Sequence, residues 1–254
     1  TLDANGFYNL GISTTYAQSG TGIVNTGFEV SSSQAIAGYF INRKGFTTDM
    51  TYLLDSNALG KNYVVASMST GAGEGSQMAV HAVQDNTTVT ITPKGSAAFN
   101  VVLNAGETYK YAGGTNDLTG SSIVSDKNVA VFSGHECANV GGVPYCDNLL
   151  EQGIPTEKLS TNYLLTASKG ADITPQNRDL VRVIATADNT EVKVGGVVVA
   201  TLNRGEFHEF SLVESTGIQV EASAPVAVAQ YLVGGNGVRV NGGGTDPALS
   251  YVPG

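Results

Sequence analysis

The feature that most constrains this sequence is an internal repeat with a period of about 100 residues. Ordered blocks recur at a nearly constant offset, which does not arise by chance, so the chain contains a duplicated unit. We call residues 49–146 unit 1 and residues 147–245 unit 2. The recurring blocks are Asn62–Ser67 with Asn162–Ala167, Met78–Thr92 with Val181–Gly195, Leu103–Glu107 with Leu202–Glu206, and Gly120–Val131 with Gly217–Val228.

The repeat continues beyond both units without completing a third. Gly27–Ala37 resembles the tail of a unit, and Asp246–Leu249 resembles the head of one. Asp49, Asp147 and Asp246 hold the same place in successive copies. The predicted organisation is therefore an N-terminal strand segment plus partial repeat over residues 1–48, a β repeat over 49–146, and a second β repeat over 147–254 that ends in the stub of a third.

Within each unit the apolar residues alternate with polar ones, which is the period of a β strand. In Thr87–Thr92, for example, Val89 and Ile91 alternate with threonines. Only 14% of the residues are charged, too few for the wet faces of many helices, and 32 are glycine. We predict an all-β fold, in which two tandem antiparallel β-sandwich-like repeats of about seven strands each pack as one pseudo-symmetric module with an N-terminal strand segment. The one helical turn that we expect lies near Leu149–Leu159.

Charge and hydropathy exclude two classes of partner. The net charge of −9 argues against nucleic acid, which is held by clustered Lys and Arg. No apolar run approaches the ~20 residues of a membrane-spanning helix. We therefore expect a protein that neither binds nucleic acid nor spans a membrane.

The two cysteines, Cys137 and Cys146, lie close together in the run SGHECANVGGVPYCDN. In a Gly-rich loop of an otherwise cysteine-free chain they indicate a disulfide that closes a small loop. The alternative is half of a metal site with His135, for which only His81 and His208 remain as further histidine ligands. A disulfide predicts an oxidising compartment, and hence a secreted or cell-surface protein.

The same loop carries a family resemblance. The run NDLTGSSIVSDKNVAVFSGHECANV, followed by CDNLLEQ, resembles the IgGFc-binding protein N-terminal domain family, and DNTTVTITP and LNAGETYKY resemble an earlier part of its pattern. The resemblance implies an extracellular, β-rich adhesion or interaction module, of the kind found in bacterial and archaeal surface proteins. It does not extend to binding of immunoglobulin Fc. The residues that carry the motif are Ser133, Gly134, His135, Cys137, Asp147, Glu151 and Gln152.

A catalytic interpretation of Ser133 and His135 is the enzyme alternative. The two residues are spaced to share one face of a strand, but no oxyanion-hole motif or G-x-S-x-G elbow accompanies them. The aligned residues of unit 2 are Gln230 and Leu232, so the pair is not a property of the unit. We expect no catalytic residues, and a structural role in which His135 bonds the backbone of the cysteine loop.

Two ligand classes remain as alternatives. Calcium is held by loop carboxylates in many extracellular β modules, and Asp3, Asp49, Asp147 and Asp246 are the candidates, although no D-x-D-x-D-G loop occurs. We expect no cofactor otherwise. A glycan-binding adhesin would use stacked aromatic residues, for which the candidates are Tyr8, Tyr16, Tyr52, Tyr111 and Tyr145.

The incomplete ends of the repeat suggest the function. A β-sandwich that lacks strands at one edge exposes unpaired backbone groups and is prone to associate. Phe7, Leu10 and Ile12, with Ile23 further on, form a strand-donor segment for the same unit or for a neighbouring subunit. We expect a structural or adhesion module that mediates attachment or protein–protein assembly, with a head-to-tail filament as one alternative and a glycan-binding adhesin as the other.

Overall fold

The computed structural model describes residues 6–214, 217–240 and 243–254. Asp3 lies outside these residues. The first strands along the chain are β1 (Gly22–Val24), β2 (Gly38–Lys44), β3 (Thr47–Leu53), β4 (Gly60–Val64), β5 (Gly71–Ala82), β6 (Thr87–Thr92), β7 (Phe99–Leu103), β8 (Thr108–Gly114), β9 (Ser122–Ala138) and β10 (Asp147–Gln152).

The remaining strands continue the all-β pattern, which confirms the predicted fold class. They are β11 (Asn162–Leu165), β12 (Asp179–Ala185), β13 (Thr190–Val194), β14 (Val197–Leu202), β15 (Phe207–Leu212), β16 (Ile218–Ala222), β17 (Val226–Leu232), β18 (Gly235–Val240), β19 (Gly243–Thr245) and β20 (Ala248–Tyr251). Short 3₁₀ turns occur at Thr14–Tyr16, Ser56–Ala58, Val140–Gly142 and Thr156–Lys158.

The first sandwich is built around the long strand β9, which takes part in both of its layers. The first half of β9 pairs with β4 and β6, and β6 pairs with β7. Its second half pairs with β5 and β10, while β8 and β1 extend that layer beyond β5. The apolar residues between the layers are fully buried, as the period of two predicts, and include Tyr63, Met78, Val80, Ile91, Ile123 and Val131.

The second sandwich repeats these pairings strand for strand. One layer has the order β11-β16-β13-β14, and the other has the order β15-β12-β17-β20. The counterpart of β9 is split into β16 and β17 because Pro225, which has no N–H to donate to a ladder, lies between them. A separate core fills this sandwich, and it includes Val181, Val183, Val192, Val220 and Val228.

A third apolar cluster joins the two sandwiches. It takes Val64, Ala138 and Leu149 from one side and Ile184 and Tyr231 from the other, all of them buried. The sandwiches therefore have their own cores and also share one.

The segment Leu149–Leu159 does not form the expected helical turn at its start. Leu149 and Leu150 belong to β10, which pairs with β9, and Leu149 is buried in the shared core. Only the later residues Thr156–Lys158 turn, as a single 3₁₀ turn after Pro155. Burial between two sheets overrides the local preference of the leucine pair for a helix. Among the described residues no helix has the length and apolarity needed to cross a membrane.

An antiparallel hairpin of β2 and β3 precedes the first sandwich. Strand β3 lies alongside β10, and β20 contacts both of them, so the three strands meet at one junction. The other edge of β2 pairs with no strand in the part of the chain that the structure describes. This edge and the junction beside it are the parts of the fold that bear on function.

Candidate functional site

Cys137 and Cys146 form a disulfide that closes the loop between β9 and β10. Their sulfur atoms are 2.01 Å apart and their Cα atoms 4.9 Å apart. Cys137 is the second-last residue of β9, and Cys146 directly precedes β10. Because both sulfur atoms are in the bond, neither is a thiolate that could bind a metal with His135.

His135 is buried beside this loop, and its Nδ1 accepts a hydrogen bond of 3.0 Å from the Cys137 N–H. Burial lowers the pKa of His135 and so favours the neutral ring, in which an accepting Nδ1 leaves the proton on Nε2. Ser133 lies two residues earlier on the same strand and is only 4% exposed. Because a substrate must reach a nucleophile, this burial argues against a catalytic pair and agrees with a structural role for His135.

The acidic and amide residues of the family motif bind backbone N–H groups across the junction of β3 and β10. Asp147 Oδ1 accepts from the Thr48 N–H at 2.7 Å, and Gln152 Oε1 accepts from the Leu54 N–H at 2.8 Å. In the opposite direction, Asp49 Oδ2 accepts from the Leu150 N–H at 2.8 Å. Side chains of each strand therefore satisfy backbone donors of the other, which fixes the hairpin to the first sandwich.

Glu151 extends the same network to β20, because its Oε1 accepts from the Tyr251 N–H at 3.2 Å. Burial raises the pKa of Glu151 to about 7, and burial likewise raises the pKa of Asp49 to about 6, partly offset by the N–H groups that it accepts. The junction thus holds two carboxyl groups whose charged forms are disfavoured. The sequence indicated Glu151 as part of the family motif and Asp49 as a repeat-equivalent calcium candidate, but gave no sign of their partners, which lie about 100 residues away.

Two of the calcium candidates, Asp49 and Asp147, accept hydrogen bonds from these backbone N–H groups. Asp147 also accepts from the Asn148 N–H at 2.6 Å, whereas Asp246 is exposed. Within the described residues, no three His, Cys, Asp or Glu side chains are grouped so that they could hold a metal ion. The calcium hypothesis stays a prediction.

Arg182 joins the two units, and sequence reasoning did not identify it. Its Nη1 donates to Asp117 Oδ2 at 2.9 Å, Thr119 Oγ1 at 2.7 Å and the Ser67 carbonyl at 2.8 Å, all in unit 1. Its Nε donates to Glu209 of its own unit at 2.8 Å. A guanidinium with five donors is suited to such a buried set of acceptors, and this one links unit 2 to three acceptors of unit 1.

The proposed strand-donor segment is divided by the structure. Ile23 lies in β1, which pairs with β8 of the same chain in the register Ile23 to Tyr109. Phe7, Leu10 and Ile12 lie outside any strand and are 66%, 52% and 40% exposed. The segment therefore completes a sheet of its own chain at one end and leaves apolar residues exposed at the other.

The hairpin carries a compact exposed apolar surface. Tyr39 and Tyr52 pair across the strands with their rings in edge contact at 5.5 Å, and Ile41 pairs with Met50 beside them. These four side chains are 49–59% exposed, and we call them the hairpin face. The alternate residues of β3, such as Asp49 and Thr51, point into the junction and are buried.

The tyrosines considered for glycan stacking lie on different elements. Tyr16 packs edge-on against Phe28, and Tyr52 packs against Tyr39 in the hairpin face. Tyr111 is on β8 next to Phe99, Tyr145 is in the disulfide loop, and Tyr8 is in the N-terminal segment. The ring contacts of Tyr16, Tyr52 and Tyr111 are with Phe28, Tyr39 and Phe99 rather than with one another.

Comparison with known proteins gives a family match for most of the chain. A family model described as IgGFc binding protein matches residues 49–254. The IgGFc-binding protein of Homo sapiens is 30% identical over 238 residues, which cover 88% of this chain and 4% of that protein. The chain thus spans only a small part of the relative. No solved structure matches it. The resemblance predicted from the cysteine-loop motif is confirmed.

Proposed function

Because the chain belongs to the IgGFc-binding protein family, we propose that it is an extracellular protein-binding module that mediates attachment or assembly and performs no catalysis. The human relative is described as an IgGFc-binding protein, and from this description we take only the binding of a protein partner. The disulfide supports an oxidising, extracellular location. The burial of Ser133 and His135 supports a binding role over a catalytic one.

The observation that carries this proposal is the hairpin face. Two tyrosines, an isoleucine and a methionine lie exposed side by side on an ordered hairpin. Aromatic residues and methionine are enriched at protein interfaces, and contiguous apolar patches on a soluble protein mark sites of interaction. The backbone of this hairpin is fixed by the bonds between β3 and β10, so the face is presented in one conformation.

The test is binding by a chain with the hairpin face altered. The double substitution Tyr39→Ser with Ile41→Ser removes apolar area without touching the junction. A matched control, Val197→Ser with Val199→Ser, removes exposed apolar side chains from β14. Binding is measured by surface plasmon resonance against immobilised mucin, immunoglobulin Fc and the unaltered chain. The native chain and the control variant are expected to bind, and the hairpin double variant is expected to lose this binding. Equal binding by both variants would contradict the proposal.

A head-to-tail filament is the second candidate, and two features favour it. Phe7, Leu10 and Ile12 lie in an exposed segment, and the edge of β2 is unpaired among the described strands. An added strand from a neighbouring subunit would satisfy that edge. Deleting residues 1–20 leaves β1 in place, and sedimentation velocity should then show polymers reduced to monomers. Monomers both before and after the deletion would exclude the filament.

The glycan-binding alternative stays a prediction. A glycan array probed with the monomeric chain is its direct test, since saturable binding by a monomer favours an adhesin over a filament. His135→Ala is the corresponding test of the enzyme alternative, because activity lost with the fold intact would overturn the assignment of a binding module.

A further inference from the structure

We propose that the hairpin face, together with the segment Gly27–Ala37 that leads into it, is the docking surface for a third repeat unit of the same fold. The inference rests on the proposed function, because it names the partner of that binding surface. It follows from comparing each residue of the partial repeat with its two equivalents in the complete units.

The first step is burial. Val30 is 65% exposed, whereas its equivalents in the two complete units, Ile123 and Val220, are both 0% exposed. Ile36 is 57% exposed, whereas its equivalents Val129 and Val226 are both 0% exposed. In both units these positions face a second sheet across the sandwich core. The partial repeat therefore presents half of a core whose other half is missing from the described residues.

The second step is the joint between successive units. Gly120 of unit 1 lies so close to Gly205 of unit 2 that a Cβ on Gly120 would clash with the Gly205 carbonyl oxygen. Gly27 likewise approaches Gly106, the equivalent of Gly205, although here the Gly27 N–H donates to the Gly106 carbonyl at 3.1 Å whereas the Gly120 N–H donates to Val65 of its own unit. The partial repeat therefore contacts unit 1 through the glycine equivalent to the one by which unit 1 contacts unit 2. The same contact defines where a sandwich completed from the partial repeat would lie relative to unit 1.

The third step identifies the strand that the partner must supply. In unit 1, β9 lies between β10 and β5, and in unit 2, β17 lies between β20 and β12. Strand β2 has β3 on one side and no described strand on the other. By this equivalence the missing neighbour is antiparallel and alternates apolar residues, as Met78, Val80 and Ala82 do in β5.

The far end of the chain offers a second contact for the same partner. Gly217 is the equivalent of Gly27 and Gly120, yet its nearest described neighbours, Leu165, Leu164 and Thr166, belong to its own unit. A glycine turn of the partner, equivalent to the turn at Gly205, would fit against Gly217. Strands β3, β10 and β20 hold equivalent places in successive copies and meet at one junction, from which we infer that the two open positions face the same missing unit. A single third unit could occupy both.

A second intact copy of this chain does not fit as the donor. Its β5 already lies between β8 and β9, and its β12 lies between β15 and β17, so neither has a free edge. The occupant must instead be a repeat unit whose hairpin is supplied by β2 and β3. This requirement separates the inference from a filament built on the N-terminal segment.

The experiment extends the full chain by such a unit. A copy of residues 157–223, which contain the strands β11 to β16 without the following hairpin, is appended after Gly254, where the repeat places residue 157 next. The extended chain is expected to be a monomer. Hydrogen exchange measured by mass spectrometry is expected to show that its amides in residues 29–43 exchange at least tenfold more slowly than in the unextended chain. The matched control is the extended chain with Val30→Asp and Ile36→Asp, in which that protection should be lost.

Unchanged exchange in residues 29–43 of a folded, extended chain would overturn the inference. Should the extended chain not fold, a peptide with the sequence of residues 75–83 is added to the unextended chain instead, and absence of protection in β2 then overturns it. A third outcome is that the unextended chain self-associates, that Tyr39→Ser abolishes this association, and that the appended unit does not prevent it. This outcome would agree with the proposed function but overturn the inference of a third unit. If no interaction of the chain depends on the hairpin face, the proposed function itself is overturned.

Discussion

The Tyr63 hydroxyl donates a hydrogen bond of 2.6 Å to the Val129 carbonyl and accepts one of 2.9 Å from the Gly60 N–H. The contact recurs in unit 2, where the Tyr163 hydroxyl donates to the Val226 carbonyl at 2.5 Å and accepts from the Ser160 N–H at 3.0 Å. In each sandwich one buried phenol thus ties the entry of the first strand to the middle of the β9 equivalent. The ring fills the core while the hydroxyl satisfies two backbone groups.

Tyr63→Phe and Tyr163→Phe are each expected to lower the free energy of unfolding by about 1–3 kcal/mol, because a buried carbonyl and a buried N–H lose their partner. Urea unfolding followed by circular dichroism measures the change. Tyr8→Phe, at a 64% exposed position, is the control and should change stability little. Equal effects at Tyr8 and Tyr63 would contradict the proposed role of the hydroxyl.

Val30→Asp and Ile123→Asp form a matched pair at equivalent places of the repeat. Ile123 is fully buried, so an aspartate there puts an unpaired charge in the core and should prevent folding or cost more than about 4 kcal/mol. Val30 is exposed, so the same change should stay within about 0.5 kcal/mol in the isolated chain. Thermal unfolding distinguishes the two, and a large loss at Val30 would mean that the chain already covers that residue.

Stability is expected to fall as the pH rises from about 4.5 to about 7, because of Glu151. Its pKa is raised to about 7 by burial, so the folded protein retains a proton that the unfolded chain, with an ordinary pKa of 4.5, has released. Glu151→Gln mimics the protonated form and should be more stable than the native chain at pH 8 but not at pH 4.5. Urea unfolding at both values measures this, with the exposed Glu29→Gln as control; a pH-independent difference would refute it.

Loss of the disulfide is expected to cost about 2–3 kcal/mol, the chain-entropy value for a short closed loop. The variant Cys137→Ser with Cys146→Ser should unfold at lower urea concentration than the native chain. Alkylation of the denatured, unreduced protein should leave its mass unchanged, because no free thiol is present. A mass increase from alkylated cysteine would show that the native material lacks the bond.

Arg182→Met tests the clamp between the units. It leaves the Ser67 carbonyl and Thr119 without their charged donor and Asp117 without its partner, and the expected cost is about 3 kcal/mol. Arg204→Met, at an exposed position, is the control. Differential scanning calorimetry should show a lowered transition or two separate ones for Arg182→Met. A native-like single transition would mean that the shared apolar core alone joins the sandwiches.

Local periodicity was sufficient to predict the strands but not their long-range partners. Val89 and Ile91 are buried and their threonine neighbours are less so, as alternation requires, because side chains of a strand point to opposite faces. The roles of Asp49 and Asp147 could not be predicted in the same way. A carboxylate beside a turn can bind calcium or cap backbone N–H groups, and which it does depends on donors about 100 residues away.

The disulfide and the family motif could be proposed because their residues are adjacent in sequence. Arg182 could not, since an isolated arginine on a predicted strand is usually exposed, and only the packing of the two units brings it to Asp117 and the Ser67 carbonyl. The helical turn expected near Leu149–Leu159 is present as the 3₁₀ turn Thr156–Lys158, whereas Leu149 lies in a strand because it is buried in the core shared by both units.

The bonds that connect β3 to β10 also affect the rate and cost of association. A partner of the hairpin face meets side chains on a backbone that is already anchored by Asp49, Asp147 and Gln152. Little conformational entropy then remains to be lost on binding, and this raises affinity for a given contact area. Recognition on this surface should therefore follow rigid docking, in which the face selects its partner by shape before any rearrangement.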